Sequence, residues 1–208
     1  SSGNIGAIMA ASRELAAMPK DEAAARERWT RELREAYERA KPLGGMPLQS
    51  EIPSTMPRLS MEGATLQPLA GFSIEARVLG REDYRMGREA DFSPTDLALG
   101  WGRMTEDAVL GQLQISQGGR WYRYSWKNDP PIPLGEIVRS SANMHMLPAD
   151  DAVAAALGDV EAGDRVRIDG WLVQVNAPDG WRWRSSLTRE DSGGGACEVV
   201  YVCSVSQL

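Results

Sequence analysis

The clearest pattern of apolar positions lies between residues 12 and 41, where most of the other side chains are charged. Trp29, Leu33 and Tyr37 are spaced four residues apart and share one side of a helix. The pattern therefore predicts an amphipathic helix with a narrow aromatic stripe. Such a helix either lies on the surface of its own domain or docks on another protein, and surface helices are the commoner case.

Prolines break this periodicity in the next part of the chain. Five prolines and a Gly44-Gly45 pair fall between residues 42 and 68, and no regular period is sustained there. This composition is typical of an extended linker or strap. We therefore predict three segments, which are an N-terminal helical segment at 1–41, a proline-rich linker or strap at 42–70, and a folded domain at 71–208.

Residues 71–208 alternate between apolar and polar side chains, which is the pattern of half-buried strands. Phe72, Ile74 and Val78 belong to the clearest example. Six short strands are predicted in all, and the fourth contains an Asp169-Gly170 pair that favours a two-residue hairpin turn. The predicted strands cover residues 71–79, 120–127, 144–147, 164–175, 181–187 and 197–205.

Short helices are predicted between these strands. Ser93 followed by Pro94 is typical of a helix start. Further short helices are predicted at 105–110 and at 149–157, where Gly158 ends the second one. Six short strands with inserted helices favour a mostly β or α+β domain, built as a small closed or partly open β-barrel of OB or SH3-like type.

The composition narrows the possible function classes. The chain has 208 residues and a formal net charge of −6; residues 1–70 hold nine basic and nine acidic groups, so the whole excess lies in residues 71–208. An acidic balance argues against a general nucleic-acid binder. One His and two Cys are too few for a protein with several metal sites, so no metal or cofactor is expected.

The two cysteines, Cys197 and Cys203, are six residues apart on the last predicted strand. At about 3.3 Å per residue they are separated by roughly 20 Å. A disulfide needs Cα atoms within about 7 Å of each other. We therefore expect two free thiols, which do not by themselves identify the redox compartment.

Two segments combine tryptophan with arginine. Trp121 and Arg123 lie in the second predicted strand, and Trp181 and Arg184 lie in the fifth. Aromatic rings beside guanidinium groups are typical of barrel faces that bind single-stranded nucleic acid, and similar faces bind sugars, so these four residues are candidate ligand contacts. The alternative is that the rings fill the core of a barrel that has little phenylalanine, and the acidic charge favours this alternative.

His145 is the one histidine of the chain. On a strand it shares a face with Ser141, but four residues separate the two by about 13 Å, too far for a nucleophile to contact its base. Ser185 and Ser186 are equally eligible if folding brings them close. A hydrogen-bonded structural histidine is the commoner case, so no catalytic residue is assigned, and a hydrolase centred on His145 is the third hypothesis.

Three stretches of the second part have a distinctive sequence, namely DFSPTDLALGWG (91–102), SSANMHMLPAD (140–150) and WRWRSSLTRED (181–191). Together they resemble a family of uncharacterised bacterial proteins, in which one N-terminal membrane segment is followed by a soluble domain. The resemblance covers roughly residues 66–206 and implies a bacterial source and a location in the cell envelope, but no activity. The apolar stretch at 5–11 is too short to span a bilayer, and the sequence starts at Ser1-Ser2 without Met, so we expect that a segment upstream has been removed.

Together, these patterns favour a non-enzymatic accessory or assembly subunit of a bacterial membrane-associated complex, at the periplasmic face of the inner membrane. The subunit would dock on a protein partner through its helix and strap, with Trp29, Leu33 and Tyr37 as contacts. It would reach the membrane indirectly or through a removed anchor. A β-barrel that binds an oligonucleotide or a glycan is the alternative, and the negative charge makes nucleic acid the less expected ligand.

Overall fold

The computed structural model describes residues 22–40, 45–52, 56, 58–188 and 197–208. The predictions for residues 1–21, which include the apolar stretch at 5–11 and the start of the predicted helix, lie outside these residues, and so do parts of the predicted strap. Among the helices of the described residues, none has the length and apolar character needed to cross a membrane.

Strands dominate the fold, which is mixed α+β. The described part of the chain has five helices and ten strands, and a 3₁₀ turn at Gly102–Thr105 follows the fourth strand. The helices are α1 (Glu22–Ala40), α2 (Arg88–Phe92), α3 (Asp107–Leu110), α4 (Leu134–Arg139) and α5 (Asp151–Gly158). The strands are β1 (Leu48–Ser50), β2 (Leu59–Met61), β3 (Ala64–Asp83), β4 (Thr95–Gly100), β5 (Gln114–Gly118), β6 (Trp121–Ser125), β7 (Ser141–Pro148), β8 (Arg165–Asn176), β9 (Arg182–Arg184) and β10 (Glu198–Gln207).

Eight of these strands form one mixed sheet, and β5 and β6 form a separate two-stranded hairpin. The strands are hydrogen-bonded in the order β1-β3-β4-β7-β10-β8-β9, and β2 pairs with β3. In addition to its neighbours in this order, β8 pairs with β3. The pairing of β7 with β10 is parallel, and the other pairings are antiparallel. Strands β3, β4, β7, β10 and β8 therefore form a ring of hydrogen bonds. Three of its pairings contain register shifts, and the ring is not a regular barrel.

Strand β3 connects the two halves of the ring. It is 20 residues long, pairs with β8 along its first two thirds and pairs with β4 along the remainder. The alternating side chains of Phe72, Ile74, Ala76 and Val78 are all buried, as their pattern predicts. The predicted fold class, mostly β or α+β, is confirmed.

Strand β8 is continuous from Arg165 to Asn176, so the hairpin turn predicted at Asp169-Gly170 is wrong. Both residues pair with β3 on one side and with β10 on the other. Gly170 allows a close approach of β10, because a Cβ atom there would lie 2.0 Å from the carbonyl oxygen of Tyr201. Pairing on both sides overrides the local turn preference of the Asp-Gly pair.

The helix predicted to begin at Ser93 is also wrong. Strand β4 occupies Thr95–Gly100, and every residue in it is buried. A short helix, α2, ends just before Ser93 instead. The last predicted helix is confirmed as α5, which begins after Asp150; the Asp150 carboxylate accepts a hydrogen bond from the N–H of Val153 at 2.9 Å and caps the helix.

The interior of the ring is filled mainly by aliphatic side chains, together with Phe72 and Trp101. Helix α5 adds Val153 and Leu157 to this core. Trp171 lies in a second cluster, between the sheet and α1. Aliphatic residues rather than tryptophans therefore supply most of the filling of the ring.

Helix α1 packs across the outer side of the sheet, against β3, β8 and β10. Trp29 is 1% exposed and meets Trp171 edge-on, with 5.7 Å between the ring centroids. Leu33 is buried in the same cluster, and the guanidinium of Arg167 lies 4.2 Å from the centre of the Tyr37 ring. The three side chains predicted as docking contacts are thus covered by the chain's own sheet.

The predicted boundary at residue 70 falls inside β3, which runs from Ala64 to Asp83. The predicted strap also contributes β1 and β2, which both pair with β3. The described residues of the helical segment and of the strap therefore pack with the domain 71–208.

Candidate functional site

The outer face of β4 and β7 carries polar side chains, because successive side chains of a strand point to opposite faces of the sheet. Leu97 and Met144 point into the core of the ring, so their neighbours Asp96, Asn143 and His145 point outward. Asp96 and His145 are direct partners in the β4–β7 ladder. The ladder register therefore brings a carboxylate and an imidazole side by side.

Asp96 is fully buried and accepts three hydrogen bonds. The Nδ1 atom of His145 lies 2.8 Å from Oδ1, the guanidinium of Arg120 donates to the same oxygen at 2.7 Å, and the amide of Asn143 donates to Oδ2 at 3.0 Å. Removing a carboxylate from water is costly, and only close charged and polar partners offset that cost. We call Asp96, Arg120, Asn143 and His145 the polar network.

Arg120 reaches Asp96 from the tight turn between β5 and β6. Its backbone has φ 68°, a left-handed conformation that costs a non-glycine residue about 1 kcal/mol. The guanidinium donates to the carbonyl oxygen of Ser93 at 2.8 Å and lies 3.9 Å from the centre of the Tyr84 ring. The Tyr84 hydroxyl accepts the Arg120 N–H at 2.9 Å, and burial raises the pKa of this phenol, so it stays protonated. These contacts therefore fix both the backbone and the guanidinium of Arg120.

These contacts define the tautomer of His145. Asp96 already accepts from the guanidinium of Arg120, so its carboxylate acts as an acceptor and Nδ1 of His145 carries the hydrogen. In the neutral imidazole the lone pair is then on Nε2. His145 is 4% exposed, and the Trp183 ring packs against it, so the imidazole is a buried part of the site.

Aromatic rings extend from His145 across the site. Trp183 lies 4.8 Å from the imidazole, Trp181 lies 6.1 Å from Trp183, and Phe92 stacks on Trp181 at 5.7 Å, all between ring centroids. We call Phe92, Trp181 and Trp183 the aromatic ladder. Phe92 ends α2 before β4, and the two tryptophans lie at the start of β9 and within it, so two separate segments of the chain supply the ladder.

An ion pair joins these two segments. Arg88 of α2 donates to both carboxylate oxygens of Asp179, at 2.6 and 2.7 Å, and its guanidinium lies 5.0 Å from the centre of the Trp181 ring. The hydrogen bonds from Arg88, and a further one from the Trp181 N–H, hold the pKa of Asp179 below its ordinary value. The ion pair of Arg88 and Asp179 therefore holds α2 and the segment between β8 and β9 together beside the aromatic ladder.

The structure separates the four residues predicted as a ligand-binding face. Trp181 belongs to the aromatic ladder. Trp121 is 40% exposed on β6, where Arg123 donates to the carbonyl oxygen of Gly118 in its own hairpin. Arg184 alternates with Trp183 on β9 and donates to Gln174, so it lies away from the ladder.

No described serine hydroxyl contacts His145. Ser141 donates to the carbonyl oxygen of Ile137, and Ser185 and Ser186 donate to nearby backbone carbonyl oxygens. The described residues also contain no cluster of three or more His, Cys, Asp or Glu side chains that could hold a metal ion. The thiol of Cys197 donates to the carbonyl oxygen of Arg120 at 3.9 Å, so the site combines aromatic surfaces with a thiol beside the polar network. Neither cysteine of the described residues, Cys197 or Cys203, is in a disulfide.

Sequence reasoning missed three residues of the polar network. Asp96 was hidden because the segment was interpreted as a helix start, although a charged residue in the apolar run TDLALG is itself a sign of a functional or networked position. Arg120 follows Gly118-Gly119, a pair that indicates a tight turn. Asn143 has no signal of its own.

Each of the three stretches that carry the family resemblance contributes to this site. Asp96 lies in 91–102, His145 lies in 140–150, and the two tryptophans of the aromatic ladder lie in 181–191. A comparison of the chain with protein families, curated proteins and solved structures finds no match.

Proposed function

We propose that this protein is a ligand-binding domain whose binding site is the outer face of β4 and β7. The observation that carries this proposal is the buried polar network beneath the aromatic ladder. A buried Asp–Arg–His cluster contributes less to stability than apolar packing of the same volume, so its presence favours a functional role. The ligand class is an oligonucleotide or a glycan, since stacked aromatic surfaces beside polar groups bind both.

The order of the strands supports the same location. We propose that the ring is an irregular barrel of OB type, with β3, β4, β7, β8 and β10 as its five strands in chain order. OB folds bind ligands on their second and third strands and in the loops that join the first strand to the second and the fourth to the fifth. In this chain the corresponding parts are β4, β7, residues 84–94 and the described residues 177–188, which together carry the aromatic ladder and every member of the polar network except Arg120.

Titration of tryptophan fluorescence tests this proposal. Neutral oligosaccharides and single-stranded oligonucleotides of matched length should be added separately, and at least one class should change the emission saturably. Trp181→Ala should abolish that response, whereas Trp126→Ala, a control in the hairpin cluster, should retain binding by calorimetry. Failure of both ligand classes to bind, or equal binding by Trp181→Ala, would overturn the proposal.

The second candidate is the accessory subunit of a membrane-associated complex predicted from the sequence. The observation that favours it is an open groove of about 1190 Å³ between α1 and α5, which is lined by small residues such as Ala24, Ala152 and Ala156 and flanked by Arg31 and Glu27. Because the aromatic stripe of α1 is covered, this groove is a surface of the helix that is open to a protein partner.

Gentle purification from the native host tests this second candidate. The protein should be recovered with a partner, and Ala152→Arg should break the association by filling the groove. Ala155→Arg is the matched control, since Ala155 is exposed on the same helix and does not line the groove. A protein that is always monomeric and alone would contradict this candidate.

Two further hypotheses, on the location of the protein and on hydrolysis, rank below these two functions. The resemblance to a membrane-anchored bacterial family implies a location at the periplasmic face of the inner membrane, which cell fractionation with a periplasmic marker would test. Hydrolysis centred on His145 ranks third, because no described serine hydroxyl contacts the imidazole. A His145→Ala variant that keeps its fold and its cellular phenotype would remove it.

A further inference from the structure

We infer that the indole ring of Trp183 is a gate over the polar network, closed in this structure, and that it moves aside when a ligand enters the site. The gate regulates access to the binding site proposed above, so this inference rests on the proposed function for what enters. The gate itself is argued from what Trp183 covers, from the contacts that hold it and from the attachment of β9.

The Trp183 ring lies over two members of the polar network. Its centroid is 4.8 Å from that of the His145 imidazole and 5.8 Å from the guanidinium carbon of Arg120. His145 is 4% exposed, and the Asp96 side chain that it contacts is fully buried. In this closed arrangement the imidazole has almost no surface for a ligand, so its participation in binding requires the ring of Trp183 to move.

A row of side chains connects Trp183 to an ion pair at the surface. The Trp181 ring lies 6.1 Å from Trp183, and Phe92 stacks on Trp181 at 5.7 Å. The guanidinium of Arg88 lies 5.0 Å from the centre of the Trp181 ring and is bonded to both carboxylate oxygens of Asp179. Because both members of this ion pair are solvent-exposed, the pair stabilises the closed position only weakly.

Strand β9, which carries Trp183, is attached lightly to the sheet. It has three residues and pairs with β8 alone among the described strands. Segments with few backbone hydrogen bonds open locally at a small free-energy cost. The next residue is fixed, since the Ser185 N–H donates to the carbonyl oxygen of Val173 and its hydroxyl accepts from the N–H of Val199, both at 3.0 Å. The movement is therefore confined to β9 and its side chains.

The single histidine of the chain makes the gate measurable without a ligand. Diethyl pyrocarbonate forms a covalent bond with a free imidazole nitrogen. Nδ1 of His145 is bonded to Asp96, so the reagent must pass Trp183 to reach the other nitrogen. Mass spectrometry of the peptide that contains His145 follows the reaction. We expect the folded wild-type protein at pH 7 to react at least about tenfold more slowly than the denatured protein.

Two variants open the gate in different ways. Trp183→Ala removes the ring and should raise the rate of the folded protein about tenfold. Asp179→Asn keeps the ring and removes the ion pair, so it should raise the rate by up to about fivefold. Trp126→Ala, in the hairpin cluster, is the control and should leave the rate unchanged. Circular dichroism checks each fold, and Asp179→Asn decides the question where Trp183→Ala loses its fold.

The outcomes separate the gate from the binding function. A wild-type rate equal to that of the denatured protein, or a rate that neither Trp183→Ala nor Asp179→Asn raises, would overturn the gate and leave the proposed binding function standing. A rise in Trp183→Ala alone would support the gate and overturn the role of the ion pair. Failure of oligosaccharides and oligonucleotides alike to change tryptophan fluorescence would overturn the binding function, whatever the rates.

Discussion

His145 donates its Nδ1 hydrogen to Asp96 across 2.8 Å, and the two residues face each other in adjacent strands of the sheet. Asp96 has no contact with solvent, and Arg120 supplies the opposite charge from a separate hairpin. The imidazole is therefore fixed in orientation and in tautomer before any ligand arrives. Such preorganisation lowers the cost of ordering side chains when a ligand binds.

Replacing Asp96 tests the energetic importance of the polar network. Asp96→Ala leaves the half-buried guanidinium of Arg120 and the buried imidazole of His145 without their carboxylate, so the free energy of unfolding should fall by about 3 kcal/mol. Asp107→Ala is the matched control, because the Asp107 side chain pairs with Arg77 while remaining 86% exposed, and its loss should cost less than about 1 kcal/mol. Urea unfolding of the two variants measures both changes. Equal decreases in the free energy of unfolding would contradict the stabilising role of Asp96 in the polar network.

The stability of a Trp29 variant shows whether α1 is part of the folded domain or a docking element for a partner. Because Trp29 is packed on Trp171 under α1, Trp29→Ala should lower the free energy of unfolding of the isolated protein by about 3 kcal/mol or more. An exposed position of the same helix, tested with Arg31→Ala, should change it by less than about 0.5 kcal/mol. A stable Trp29→Ala variant would instead favour the docking role that the sequence predicts for this residue.

The ion pair between Arg88 and Asp179 should be lost at acidic pH. The folded protein holds the pKa of Asp179 below 3.8, so the ion pair contributes fully above that pH and is lost as the pH falls through the lower folded value. Fluorescence of the neighbouring Trp181 should therefore change only below about pH 3.8. Asp179→Asn should remove this acid transition, and Asp129→Asn, in the loop after β6, should keep it.

Cys203 should be a poorly reactive thiol. Burial raises its pKa to about 12, although a hydrogen bond with Thr30 opposes the shift. Since the thiolate is the reactive form, a Cys197→Ser variant, in which Cys203 is the remaining cysteine, should react with a disulfide reagent at pH 8 about a hundredfold more slowly when folded than in denaturant. Equal rates would show that this part of β10 is open.

The elements that depend on local pattern were predictable from the sequence. The alternation at Phe72, Ile74 and Val78 predicts part of β3, and the four-residue spacing of Trp29 and Leu33 predicts α1. Asp-Gly at 169–170 misled the prediction of β8 because its backbone groups pair with two neighbouring strands, which the local sequence does not reveal. Cooperation between distant strands decides such positions.

The site was less predictable, because its members are far apart in sequence. Asp96 lies 49 positions from His145 and 24 from Arg120. The β4–β7 register joins the first pair, and the turn between β5 and β6 brings in Arg120. The aromatic pair Trp181 and Trp183 was recognisable, since both fall on one side of a strand. Their position beside His145 follows only from the ring of strands.

Chemical-shift mapping with a neutral oligosaccharide and with a single-stranded oligonucleotide tests the central claim, the location of the binding site, most directly. In ¹H–¹⁵N correlation spectra, the ligand should shift the amide signals of β4, β7, residues 84–94 and residues 177–188, together with the indole signals of Trp181 and Trp183. The signals of α1 and α5 should not move. Shifts confined to the α1–α5 groove, or to the exposed side of β6, would contradict the assignment of the outer face of β4 and β7 as the binding site.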